Sequence, residues 1–208
     1  MVLVFICLLK EGIVLEGRRV INNTQRVASI FLMKTAYTFA ITAALFFLPF
    51  AYPFAPINMT LIGSLASGIP GVFLALEPNF SRVESDFMKR VIKNAITGAA
   101  TVFGGILAVM FIGENVGLTS AEISTVSVLY TGTVSFVTLL CACMPLNKYK
   151  AAIIFVCSAL FFSGAKLFGE LFMITGLGKS ASVLLLVLIP FAFIQYFIRS
   201  WELRKAKD

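Results

Sequence analysis

Apolar residues run in six blocks along the chain, at about 27–48, 57–77, 94–113, 123–144, 150–170 and 180–198, and most charged residues fall between them. Each block is about 20 residues long, the length a helix needs to cross a hydrocarbon layer of about 30 Å. The pattern predicts an all-α fold, a polytopic membrane bundle of six transmembrane helices. The opening MVLVFICLL is too short to span, and Lys10 and Glu11 follow it in place of a basic leader, so it does not read as a signal peptide. The expected organisation is a cytoplasmic N-terminal segment over 1–26, a transmembrane domain over 27–198 and a basic cytoplasmic tail over 199–208.

The second block is interrupted in its middle by Gly68, Pro70 and Gly71. Proline removes a backbone donor and clashes with the carbonyl four residues back, so an ordinary helix breaks or kinks there. Inside a bilayer the freed carbonyls have no water to turn to, and broken backbone is tolerated only against protein or beside a polar cavity. Two readings stay open: a packing kink, or an unwound stretch beside an ion path of the kind transporters use.

Composition removes the soluble alternatives. The 208 residues are 59% hydrophobic and 13% charged, with 21 Phe, which leaves little room for a soluble domain. The net charge of +7 suggests nucleic acid until its placement is counted. Fourteen of the 17 basic residues fall in alternate loops: Lys10 to Arg26, Arg82 to Lys93, Lys148 and Lys150, and Arg199 to Lys207. The positive-inside rule then puts both termini in the cytoplasm of a multi-pass cell-membrane protein, with the lipid bilayer as partner and no nucleic acid.

The polar residues within the blocks are few enough to weigh singly. Thr35, Thr38 and Thr42 share one helix face, where hydroxyls often bond only their own i−4 carbonyls. Lys34, about two turns into its block, must snorkel, pair or face water. The second block carries Asn58, Thr60, Gly63, Ser64 and Ser67, and ends at Glu77, expected at the interface and solvated. Ser124, Ser127, Thr131, Ser135 and Thr138 form a hydroxyl stripe on one face, either interhelical glue or a path wall. Lys166 and Glu170 are spaced for an i, i+4 ion pair. Cys7, Cys141, Cys143 and Cys157 read as buried small hydrophobes; Cys141 and Cys143 are a weak soft-metal candidate, with no histidine in the chain to help. No phosphate-cradling glycine loop, metal-ligand cluster or nucleophile with a histidine base is present, so no enzyme site is expected in this chain.

EGRRVINNTQR, residues 16–26, runs straight into the first block, and PFAPINMTLIGSLASGIPGVFLALEPN, residues 53–79, contains the break. The first, through Gly17, Arg18, Asn22 and Asn23, resembles the cytoplasmic end of the fifth membrane helix of P-type cation-transporting ATPases. The second resembles their sixth helix, with its Gly-Ile-Pro break. The resemblance covers about residues 12–208 as helices five to ten and is most similar to bacterial calcium-exporting members. It implies a role in cation movement, possible calcium export among the readings. The ligand positions of animal calcium pumps fall on Thr35, Thr38, Gly63, Ala66 and Ser67, none of which is a carboxylate. Thr35, Thr38, Ser64 and Ser67 are therefore the candidate cation-path oxygens, with Gly68, Pro70 and Gly71 as the helix break.

The family's DKTGT motif, nucleotide domain and fourth-helix Pro-Glu motif do not occur in these 208 residues. The resemblance implies that they would lie N-terminal to residue 1, as in a fragment or one piece of a split pump. By itself the chain is expected to hold no cofactor, ATP and Mg²⁺ belonging to the complete pump. The implied partners are the transported cation and the missing catalytic half. Two other readings remain: a free-standing six-helix carrier or channel, and a non-transporting accessory subunit.

Overall fold

With no water in a bilayer to bond N–H and C=O groups, a chain this apolar satisfies its backbone within helices. The computed structural model describes residues 2–81, 87–144 and 146–205, with side chains described over 12–81, 88–89, 91–144 and 146–198. The helices are α1 (Val2–Leu45), α2 (Pro56–Ile62), a π-helical turn (Gly63–Gly68), α3 (Ile69–Ala75), α4 (Phe87–Asn115), α5 (Ser120–Ala142), α6 (Lys148–Leu167) and α7 (Lys179–Lys205). Among the described residues there is no strand, and six helical stretches are long and apolar enough to cross a membrane, α2 to α3 counting as one. The protein is thus an all-helical, multi-pass membrane protein.

At 44 residues α1 is about 66 Å long, roughly twice the hydrocarbon layer, so it extends well beyond the membrane. α5 is the central helix: it is the most enclosed of the six spans and touches α1, α2, α4, α6 and α7. Close approach depends on missing side chains. A Cβ on Gly132 would lie 2.3 Å from the Phe161 ring, so α5 and α6 meet at a glycine.

Two helices end earlier than hydropathy suggests. α1 stops at Leu45, and Pro49 disfavours helix at the residue before it. α6 stops at Leu167, because Phe168 leaves helical geometry (φ −114°, ψ 29°). Glu170 therefore lies in the following turn, off the helix that carries Lys166. The expected i, i+4 ion pair between them does not form, since its spacing requires an unbroken helix.

Glu77 departs from expectation more sharply. It is buried rather than solvated, and it joins three helices. Arg26 of α1 donates to Oε2, Asn147 Nδ2 donates to Oε1 at 2.8 Å, and Lys150 Nζ lies 3.4 Å from Oε1. Asn147 also caps α6, its Oδ1 accepting from Lys150 N–H at 2.8 Å. From α1, Asn23 Nδ2 donates to the carbonyls of Ala75 and Glu77 at 3.0 and 2.7 Å, satisfying acceptors left over at the end of α3. Asn22 does the same for Ser81 O at 2.9 Å. The Asn-Asn pair is thus a cap supplied by a neighbouring helix.

Side-chain exposures of 13%, 7% and 6% for Arg26, Glu77 and Lys150 put this cluster where unpaired charge is expensive. Glu77→Ala leaves two buried cations facing each other and is expected to cost about 3–5 kcal/mol. Glu16→Ala removes only the exposed Arg19–Glu16 pair and should cost under about 1 kcal/mol. Unfolding midpoints of the two purified variants in detergent check this; equal, small shifts would show that Glu77 does not hold the helices together.

Candidate cation path

Gly-Ile-Pro does not unwind the second span. The helix widens into one π turn over Gly63–Gly68, where Ile69 N–H donates to Ser64 C=O five residues back, and then resumes as α3 with Pro70 at its start. Pro70 has no N–H to return, so the turn before it keeps a carbonyl without its helical donor. Such π turns recur at functional sites. Pro70 and Gly71 are buried, and a Cβ on Gly71 would stand 3.5 Å from Val27 of α1.

Lys34 does not snorkel away from this turn. Its ammonium fills the space that a Cβ on Gly63 would take, 2.6 Å from that point. A fixed positive charge therefore stands at the beginning of the π turn, which has room for it only because residue 63 lacks a side chain. Among the described residues no carboxylate is paired with it; Glu77 is engaged at the far end of α3.

The four candidate oxygens are placed differently from one another. Thr35 is exposed and returns its hydroxyl to Phe31 O at 3.1 Å, the local bond common to threonines in helices. Thr38 is half-buried, and its carbonyl accepts from the Thr42 hydroxyl at 2.9 Å. Ser64 is exposed, whereas Ser67 is buried on the inner face of the turn. Along the outer face, Ser64 and Gly68 border an open groove of about 640 Å³ with chiefly apolar walls, among them Val27, Phe31 and Val72.

Besides Asn23 Oδ1 in the Glu77 cluster, four further oxygens without protein partners lie deeper. Tyr37 OH, Asn58 Oδ1, Ser127 Oγ and Thr131 Oγ1 are all buried and bond to no protein group. They belong to α1, α2 and α5, and α5 touches both of the others. Tyr37 follows Lys34 by one turn of α1, and Asn58 precedes the π turn by little more than one. Asn58 Nδ2 donates to Ser124 Oγ at 3.2 Å, and Ser127 and Thr131 continue the same face of α5. Buried oxygens left this way each cost about 1–3 kcal/mol unless water or an ion satisfies them. Nothing in the pattern of one helix face singled out Tyr37; its spacing three residues beyond Lys34 was the available signal.

Elsewhere the α5 stripe acts as glue at Ser124 and Thr138, while Ser135 returns its hydroxyl to Thr131 O of its own helix at 2.7 Å. Thr138 donates to Gln195 Oε1 at 2.9 Å, and Gln195 Nε2 donates back to Val134 O at 3.2 Å, tying α5 to α7. Gln195, the lone amide in an apolar span, also escaped notice. Among the described residues no three His, Cys, Asp or Glu side chains gather as a metal site. Cys141 and Cys143 are buried, and burial pushes the Cys143 thiol up to about 11, away from the thiolate a soft metal needs.

No family model matches the chain. A probable cation-transporting ATPase of Streptococcus pneumoniae is 34% identical over 163 residues, covering 72% of this chain and 21% of the relative. A calcium-transporting ATPase of Mycolicibacterium smegmatis is 36% identical over 97 residues, covering 42% of the chain and 12% of the relative. One from Mycobacterium tuberculosis is 38% identical over 91 residues, covering 39% and 11%. The chain therefore spans about a fifth of the length of the first of these relatives and less of the others. The six apolar spans agree with that partial match: the chain is homologous to a membrane portion of the P-type cation-transporting ATPases.

Proposed function

We propose that this chain forms the cation-translocating membrane portion of a P-type pump, with the cation passing the π turn between α1, α2 and α5. The observations that carry the proposal are the helix break with the Lys34 ammonium at its start and the four buried oxygens without protein partners on α1, α2 and α5. Thr38 and Ser67 border the path, and Thr35 and Ser64 line its outer approach. ATP and Mg²⁺ act on the catalytic domains of the complete pump. Both termini face the cytoplasm, following the basic loops.

Calcium is the first cargo to test, because relatives in two mycobacterial genera are named calcium-transporting. Ca²⁺ takes six to eight oxygens, usually with carboxylates among them, and this turn offers hydroxyls, an amide and carbonyls instead. Lys34 adds repulsion of about 4 kcal/mol per unit charge at 4 Å in an effective dielectric of 20. Passage of any cation therefore requires the ammonium to swing aside. That makes Lys34 a gate charge as well as a plug.

Orientation is checked by thiol labelling in a background whose native cysteines are replaced by alanine. Asn115→Cys should react with an impermeant reagent from outside whole cells, and Ser81→Cys only after the membrane is opened. Reaction of Ser81→Cys in intact cells would reverse the assignment.

Turnover is measured after this chain replaces the matching region of the Streptococcus pneumoniae relative. Pro70→Ala restores an ordinary helix, and Thr38→Val removes a path hydroxyl. Each should lower cation-stimulated ATP hydrolysis at least about 10-fold, equivalent to about 1.4 kcal/mol. Lys34→Gln should instead raise apparent cation affinity, and Asn115→Ala should change nothing. Full turnover in both path variants at normal expression would make the break a packing kink. Cation flux through liposomes holding the chain alone, without ATP, would make it a carrier.

A further inference from the structure

At the end of the bundle opposite the Glu77 cluster lies a pocket of about 140 Å³. Its walls are the loop over 49–53 that joins α1 to α2, Glu114 of α4, and Ser120 and Ser124 of α5. The loop is restrained: Pro49 and Pro53 fix their own φ angles, and the Phe50 ring packs edge-on against Phe111 of α4 with centroids 4.9 Å apart. The volume has room for several waters. A cation would therefore enter it with part of its hydration shell.

Glu114 is the one charged group on these walls. It is exposed, and among the described residues its carboxylate takes part in no hydrogen bond or ion pair. It stands in the last turn of α4, where the helix end is itself partly negative and a carboxylate does nothing for the helix. The facing wall is the partly positive N-terminal end of α5, but that end already has its own carboxylate. Glu122 accepts from Thr119 N–H at 3.0 Å and from Gly178 N–H at 3.2 Å. The charge of Glu114 is left for whatever fills the pocket.

The polar surface continues inward from Ser124. Its hydroxyl accepts from Asn58 Nδ2 at 3.2 Å, and Asn58 is fully buried with its Oδ1 unpartnered. One and two turns further along α5 come Ser127 and Thr131, whose buried hydroxyls also lack partners. A buried amide oxygen in that state calls for water or an ion, and the pocket behind Ser124 is a source of both.

We propose that this pocket binds a partly hydrated cation on Glu114, Ser120 and Ser124 and forms the outer mouth of the cation path. The mouth rests on the path proposed above; the binding itself does not. One carboxylate among neutral oxygens holds a divalent ion weakly, because affinity follows the number of charged ligands. Weak holding suits a place where the ion passes rather than rests.

Terbium luminescence tests the binding on the full purified chain in detergent, without ATP, with Tyr52 on the pocket wall as antenna. Tyrosine excitation should give terbium emission that saturates and that calcium displaces. Glu114→Gln should raise the half-saturating terbium concentration at least about 10-fold, as loss of the charged ligand demands. Tyr52→Phe should remove most of the emission while the terbium bound, counted by equilibrium dialysis, stays the same. Glu170→Gln, which removes another exposed carboxylate, should behave as the unaltered chain. An unmoved midpoint in Glu114→Gln, an equal shift in Glu170→Gln, or emission that survives Tyr52→Phe overturns the site. Pro70→Ala should leave the titration unchanged, so a failed path and a failed site are told apart. In vesicles holding the hybrid pump, calcium on the outer side should inhibit turnover, and Glu114→Gln should weaken that inhibition. Undiminished inhibition in that variant overturns the mouth, and a hybrid without turnover leaves the terbium titration to decide the site.

Discussion

Glu77 is the one buried carboxylate among the described residues, and it stands between cations and an amide supplied by two other helices. Every hydrogen bond to that carboxylate helps tie these helices together. Arg26 fixes the rotation of α1, Asn147 and Lys150 fix the start of α6, and Asn23 fixes the last carbonyls of α3. Once those ends are joined, the depth of the π turn relative to α1 follows by counting residues. Nine residues separate Gly68 from Glu77, and eight separate Arg26 from Lys34. Both helices therefore bring their unusual residues to nearly the same depth, where the Lys34 ammonium reaches Gly63.

The bilayer sets the terms on which a broken span survives. A π turn keeps most backbone groups bonded while displacing a few carbonyls, a milder departure than unwinding. Gly63 and Gly71 allow the turn to be covered: one admits a lysine side chain, the other lets α1 lie against α3. The short α2 and α3 are too small to persist separately. They are held by α1, α5 and α6, so the geometry of the turn belongs to the whole bundle.

Hydropathy was enough to find all six spans, because each needs the same 20 or so apolar residues whatever it packs against. It placed some ends poorly, at Leu45 and Leu167, since proline and a single non-helical φ, ψ pair act locally and leave average apolarity unchanged. Pro70 announced a break without revealing its form, which depends on neighbours far along the chain. Glu77 was misread for the same reason: position at a span's end says nothing of Asn147 or Lys150, 70 and more residues later. Lys34 was visible as an anomaly, but only the absent side chain of Gly63 shows where it goes. The α5 stripe divided into glue at Thr138 and unsatisfied oxygen at Ser127 and Thr131, a division made by Gln195 alone at one end.

The charge pattern at the turn constrains any transport mechanism built on it. A site of carboxylates binds a divalent ion tightly and must be dismantled to release it. A site of neutral oxygens binds more weakly, which favours release, but it cannot by itself offset the cost of bringing a bare cation out of water. In the path proposed above a lysine already occupies the position, so the resting site would hold a positive charge that never leaves the protein. The ammonium stands 2.6 Å from where a Cβ of Gly63 would be, so it takes up the space at the start of the turn. In the path proposed above, its movement would open that space to a cation. In that proposal, exchange of a tethered cation for a free monovalent one would keep the net charge of the turn nearly constant. It thereby avoids the larger electrostatic penalty of an empty or doubly occupied site.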